Sequence, residues 1–186
     1  MAHHAILICV AWKLLESRLH LSNRWLTLRE NDYELPGGKR LPGYWLIEKP
    51  SYVLVIGESL KGLVLVREYR PGSGKDHLSF PAGFIDDGET AEQAAVREFK
   101  EETGFHATKA RILGTFDAQA AWLKATCTVV YVEASDRPEA TAVDAEIDAV
   151  LVMDWGQVLE QVRTGAISEM HSVAGFYLAR DLLDKS

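Results

Sequence analysis

The segment from Gly83 to Phe105, GFIDDGETAEQAAVREFKEETGF, restricts the fold more than any other part of this chain, because it specifies a strand end, a loop and a helix in one continuous run. Thr90 with Gln93 three residues later makes a capping-box pattern, and Gly104 supplies a left-handed stop. A helix of about three turns is therefore expected between them. Before it, Phe80-Pro81-Ala82-Gly83 reads as a strand end, and Asp86-Asp87-Gly88 as a glycine-punctuated loop.

Within the predicted helix, Glu98, Glu101 and Glu102 stand at i, i+3 and i+4, so their side chains are close neighbours and repel one another unless a cation intervenes. A hard divalent ion such as Mg²⁺ takes oxygen ligands and retains waters that substrate phosphates can replace. At about 100° per residue, Ala91 and Ala94 share the acidic sector, which is expected to leave it uncrowded. Ala95, Val96 and Phe99 lie beside it as a face that can pack on a sheet. Arg97 falls in the third sector, four residues before Glu101 and able to lean back toward Glu89, so it is expected to support carboxylates and not to bind substrate. The alternative, a solvated charged helix, accounts for any two of these glutamates but not for the whole spacing.

Taken together, Gly, five residues, Glu, seven residues, then Arg-Glu-apolar-any-Glu-Glu-any-Gly-apolar resembles the Nudix box at every defining position. The resemblance extends more weakly through Leu15-Glu16-Ser17-Arg18, Val64-Leu65-Val66-Arg67-Glu68-Tyr69-Arg70, Phe80-Pro81-Ala82-Gly83 and Arg163-Thr164-Gly165-Ala166-Ile167, all similar to the ADP-ribose pyrophosphatase branch. It implies Mg²⁺-dependent hydrolysis of the diphosphate of a nucleoside diphosphate sugar, with Mn²⁺ as a substitute ion. It further implies Glu98 and Glu102 as metal ligands, Glu101 as a ligand or bridging carboxylate, and the Ala82 carbonyl completing the shell. Glu101 and Glu102 then count with the catalytic groups.

A general base in this branch comes from a late loop, where Asp144 and Glu146 lie; Glu146 is preferred because Ile147 and the strand to Met153 follow it as in the family pattern. Arg67 and Arg70, three apart on a strand, face opposite sides of the sheet. Arg70, which precedes Pro71-Gly72, resembles the family's phosphate-side arginine, and the resemblance implies it as the phosphate-binding cation, with Arg67 pairing on the other face.

Base recognition is less marked. The family's ADP-ribose enzymes often carry a proline about sixteen residues past the box; here Ala121 stands there, in a predicted loop from Asp117 to Trp122 without proline. That departure favours a broader nucleoside diphosphate sugar specificity, with Trp122 either touching substrate or packing. Dinucleoside polyphosphate or nucleoside triphosphate cleavage is one alternative, and a nucleotide-sugar sensor without turnover is another. The complete set of box glutamates favours the hydrolase.

Composition is consistent with one enzyme domain: 186 residues, 47% hydrophobic and 25% charged. Residues 1–50 are expected to contribute dimerising strands and 51–186 the catalytic core of a homodimer. A formal net charge of -7 disfavours nucleic acid or anionic membrane as partner. Ala5 to Trp12 is apolar but much shorter than the ~20 residues a membrane span needs, and no signal-peptide pattern surrounds it. Cys9 and Cys127 make neither a metal spacing nor a disulfide framework, which suits the cytosol. Cys127 is expected to be a small buried apolar group, and no role is assigned to His3, His4 or the other histidines.

Elsewhere the pattern predicts a hairpin of Trp25–Leu35 and Lys39–Glu48 around Pro36-Gly37-Gly38, and strands at Ser51–Ile56, Leu63–Tyr69, Ala110–Phe116, Thr126–Glu133 and Ala149–Met153. A helix capped by Asp154 and Gln157 runs to about Thr164, and another covers Ser168 to about Leu183. The fold class is α+β: a Nudix-type α/β/α sandwich on a mixed sheet, with an N-terminal antiparallel strand region.

Overall fold

A computed structural model of the chain describes residues 11–138 and 144–184. His3, His4, Cys9 and the Ala5–Trp12 stretch before Ala11 lie outside those residues. The chain divides into two compact units, one drawn from the chain up to Lys49 with Gln119–Ala125, the other from Pro50–Ala118 with Thr126 onward.

The second unit is organised by β4 (Tyr52–Ser59) and β5 (Gly62–Arg70), whose apolar runs do not alternate with polar residues. Such a run belongs to strands covered on both faces. Val53 and Val55 point to one side, Leu54 and Ile56 to the other, and all four are fully buried. Strand β4 pairs antiparallel with β5 and with β7 (Ala82–Phe84), and parallel with β9 (Leu123–Ala134) from Tyr52↔Cys127 to Glu58↔Glu133. Strand β5 pairs antiparallel with β6 (Lys75–Ser79) and β10 (Ile147–Met153), and β8 (Ala107–Gln119) pairs with β9.

Helices cover both faces of this mixed sheet. Helix α1 (Ala91–Thr103) closes a core of Val53, Val55, Val64, Val130 and Val132 with Ala94, Ala95 and Phe99. The Phe99 ring lies so close to Gly57 of β4 that a Cβ there would overlap it, which fixes the helix on the strand. On the opposite face, α2 (Trp155–Arg163) and α3 (Met170–Leu182) enclose Leu54, Ile56, Leu65, Phe80 and Val129 with Val158 and Phe176. Gly175 of α3 meets Leu54 in the same close manner. The expected layering of helices on a mixed sheet is present.

The first unit contains β1 (Lys13–Ser22), β2 (Thr27–Glu34) and β3 (Arg40–Glu48), an antiparallel meander in which Gly37 and Gly38 take φ of 87° and 81° at the β2–β3 turn. Leu123 and Lys124 pair parallel with Ile47 and Glu48. Arg18 gathers Glu16, Glu30 and Asp32 at 2.8, 3.0 and 2.6 Å, and Trp12, Tyr33 and Tyr44 pack edge to face. Among the described residues of these three strands Asn31 alone is buried, while Leu14, Leu19, Leu21 and Trp45 are exposed.

Three expectations change. The segment Asp117–Gln119 extends β8 and leaves a turn of 120–122, because cross-strand pairing with β9 overrides weak local propensity. Strand β6, not expected from its polar sequence KDHLS, forms by pairing with β5. Ala94 is fully buried in the α1 core, so its methyl serves close packing and does not open a path to the acids.

Candidate active site

Helix α1 starts and stops where its caps dictate. Gln93 N–H donates to Thr90 Oγ1 at 3.2 Å, Thr90 N–H donates to Gln93 Oε1 at 2.8 Å, and Gly104 ends the helix at φ 72°. These ends, with Phe99 held on Gly57, set the rotation of the helix about its axis. That rotation turns Glu98 and Glu102 inward and leaves Glu101 exposed.

Arg97 organises the outer side. Its Nε and Nη2 donate to the two oxygens of Glu89 at 3.0 and 2.8 Å, and Nη2 also donates to the Phe84 carbonyl at 2.9 Å. Its Nη1 reaches Glu98 at 2.6 Å and Glu101 at 3.2 Å. A guanidinium fork suits this planar, multidentate task, and Arg97 thereby joins the helix to the loop and to β7. The Glu98 carboxylate sits directly over Gly83 of β7, where any Cβ would overlap it.

Deeper in, the Ala82 N–H donates to Glu102 Oε2 at 3.3 Å. Burial, then the negative charges of Glu68 and Glu98, push the Glu102 carboxyl up to about 8. Burial also raises Glu98, against the opposing pull of Arg97, and raises Glu68. Three carboxyl groups thus share a region in which burial raises the proton affinity of each.

Arg70 faces this cluster. Its Nη2 stands 2.8 Å from Glu68 and its Nε 3.1 Å from Glu169, just before α3, and its charge acts on Glu102. Arg67 turns to the other side and pairs with Asp148 at 3.3 Å. Asp144 N–H donates to the Glu101 carbonyl at 3.0 Å and Ile147 N–H to the Asp144 carbonyl at 3.0 Å, so this turn lies against the end of α1. Exposed Glu146 lies in the turn, and its charge acts on Glu68.

The segments carrying Ala82, Glu98, Glu101, Glu102, Arg70 and Glu146 therefore meet in one region. Glu68 and Glu169 join them without having been singled out. Glu68 was legible as the residue two before Arg70 on the same strand face; Glu169, 99 residues from Arg70, carried no local signal. Cys127 is buried and its thiol is pushed up by burial, which suits a packing role.

Among the described residues no three acids, histidines or thiols yet stand at the spacing of a closed metal shell. Arg97 draws Glu98 and Glu101 toward itself. The donor set nevertheless fits a hard divalent cation: carboxylate oxygens and a nearby backbone carbonyl, in a partly buried cluster whose proton affinity is raised chiefly by burial. No helix among the described residues is long and apolar enough to cross a membrane.

The chain resembles known proteins in sequence and in fold. The family described as NUDIX domain matches residues 49–171. The ADP-sugar pyrophosphatase of Mus musculus is 56% identical over 43 residues, 23% of this chain and 20% of that protein. The ADP compounds hydrolase NudE of Escherichia coli is 29% identical over 123 residues, 65% of each chain. A crystal structure of an ADP compounds hydrolase superposes with a TM-score of 0.81 at 25% identity, covering 93% of this chain and 94% of the other. The chain thus spans only a fifth of the mouse relative's length in the matched segment.

Proposed function

From the premise that this chain belongs to the NUDIX family, we propose that it hydrolyses the diphosphate bond of nucleoside diphosphate sugars, ADP-ribose among them, to a nucleoside monophosphate and a sugar phosphate. The observation that carries this reading is the cluster of buried Glu68 with partly buried Glu98 and Glu102, facing Arg70, a cation suited to phosphate. Relatives named for ADP-sugar and ADP-compound hydrolysis support the substrate class.

In this reading Glu98, Glu101, Glu102 and the Ala82 carbonyl would hold Mg²⁺, or Mn²⁺ in its place, and a bound ion would supply charge neutralisation for the diphosphate and acidification of a water. Arg70 orients the phosphate through a guanidinium held between Glu68 and Glu169, so little ordering is required on binding. Arg97 holds Glu98 and Glu89 in place and does not touch substrate. Glu146, exposed on the turn before β10, accepts the proton of the attacking water as general base. Phosphoryl transfer depends chiefly on such positioning and charge stabilisation. The exposed apolar residues of β1 to β3 suit a homodimer contact, which sedimentation at micromolar concentration tests.

The decisive assay is a substrate panel with Mg²⁺: ADP-ribose, other nucleoside diphosphate sugars, dinucleoside polyphosphates and nucleoside triphosphates. Preference for the sugar-linked diphosphates is expected. Turnover confined to triphosphates or polyphosphates would move the assignment to those substrates, and no turnover at all would indicate a sensor.

A further inference from the structure

The segments that hold Arg70 meet at a buried residue of the second unit that the proposed chemistry does not use, His77 of β6. The pairing of β5 with β6 sets His77 directly opposite Glu68, and Lys75 opposite Arg70. Residues directly opposite one another on antiparallel strands share a face of the sheet, so the imidazole stands on the side of Glu68 and Arg70.

Both ring nitrogens have a partner, and the partners fix which one carries the proton. Ser73 Oγ, in the turn after Arg70, donates to the Arg70 carbonyl at 3.1 Å. A hydroxyl has one proton to give, so at its 2.7 Å contact with His77 Nε2 it accepts, and Nε2–H is the donor. Nδ1 is then left to accept from Ser168 Oγ, which stands at 3.4 Å, a long contact. A buried ring is costly unless its polar atoms are paired, and this arrangement pairs both.

The contacts close a circuit that begins and ends at Arg70. From its carbonyl the circuit passes through Ser73, His77 and Ser168 to Glu169, the next residue in the chain, whose Oε1 accepts from Arg70 Nε at 3.1 Å. Glu169 occupies the N-cap position of α3 yet makes no side-chain capping bond there. Its carboxylate is turned to Arg70 instead, at the cost of a bond to its own helix.

We infer that His77 is a positioning residue for Arg70: by tying the Ser73 turn to the Ser168–Glu169 segment, it holds Glu169 where the guanidinium needs it. The inference deepens the proposed reaction and rests on it for Arg70 as the phosphate-binding group. Without the ring, the turn and the Ser168–Glu169 segment lose their common partner. Arg70 then has to be ordered when substrate binds, which weakens binding more than turnover.

His77→Leu fills the space without a ring nitrogen, whereas His77→Gln keeps an amide N–H that can donate to Ser73. The Nε–H peak of Arg70 in a nitrogen–proton correlation spectrum, assigned by its absence in Arg70→Lys, reports the bond to Glu169 without substrate or metal. His77→Leu is expected to shift or broaden that peak and His77→Gln to restore it. KM for ADP-ribose is expected to rise about fivefold in His77→Leu with kcat changed by less than about twofold, the scale of one lost hydrogen bond, and to recover in His77→Gln. If His77→Leu fails to fold, Ser168→Ala, at an exposed position, gives the same reading from the other side of the circuit. A peak and KM unaltered in folded His77→Leu and in Ser168→Ala overturn the inference, as does a shifted peak with unaltered KM in an active enzyme. A shifted peak in a protein that cleaves no diphosphate would keep the clamp on Arg70 and refute the hydrolase. Normal cleavage with an unmoved peak would do the reverse.

Discussion

Replacing Gly83 with alanine separates the position of Glu98 from its chemistry. The added Cβ would overlap the Glu98 carboxylate, and ordinary contact between heavy atoms is about 3.5 Å, so the carboxylate must withdraw by on the order of 1 Å. Metal shells tolerate deviations of only about 0.2 Å, and a misplacement of about 1 Å in a reacting constellation can cost about 10²-fold. The hydrophobic anchors of α1, Phe99 on Gly57 and the Val53, Val55 and Val130 core, are untouched, so the fold is expected to survive. The expected result is a kcat lower by about 10²-fold and a weakened activation by Mg²⁺, with a thermal midpoint close to wild type. Steady-state kinetics across a Mg²⁺ titration, with circular dichroism melting as control, measures both. Wild-type Mg²⁺ activation and turnover in Gly83→Ala would refute the placement of Glu98 in the metal shell.

Other perturbations test the neighbouring groups. Arg97→Met removes the fork that joins Glu89, Glu98, Glu101 and the Phe84 carbonyl; a loss of about 2 to 4 kcal/mol in urea denaturation is expected, and a loss under about 0.5 would show that the hub is dispensable. The Glu102 carboxyl, pushed up to about 8 in the folded chain from the ordinary value of 4.5, binds its proton more tightly in the native than in the unfolded state. In chelator, this group's stabilising effect is therefore complete below about pH 4.5 and lost as pH rises through about 8, with a slope of at most about 1.4 kcal/mol per pH unit. Glu102→Gln should flatten that slope relative to wild type, and identical pH profiles for the two proteins would contradict the assignment. Glu146→Gln is expected to lower kcat by about 10²-fold with metal affinity retained, measured by turnover and by metal titration; unchanged turnover excludes Glu146 as the base.

Much of the site was legible because its information is local. The capping residues Thr90, Gln93 and Gly104 satisfy or release backbone groups of their own helix, so its ends could be read without knowing the rest of the chain. The same holds for the glutamate spacing and for the opposite facing of Arg67 and Arg70, which follow from helix and strand periodicity. Less legible were β6 and the β8 extension, whose weak local preferences are decided by the strands beside them. Ala94 was misread for a related reason: helical angle gives direction but not what lies in that direction, and Ala94 meets the sheet core.

The amino-acid order alone determined the strand–loop–helix unit, the three acids on one helical turn, the arginine four residues before Glu101, and the family these resemble. Tertiary structure decided which acids are buried. It brought Glu68 and Glu169 to opposite ends of the Arg70 guanidinium, and it raised Glu102 by burial and then by the nearby charge of Glu68. The reason is one of range: caps and side-chain spacing act within a few residues, whereas burial and charge coupling depend on distances through space between segments far apart in the chain.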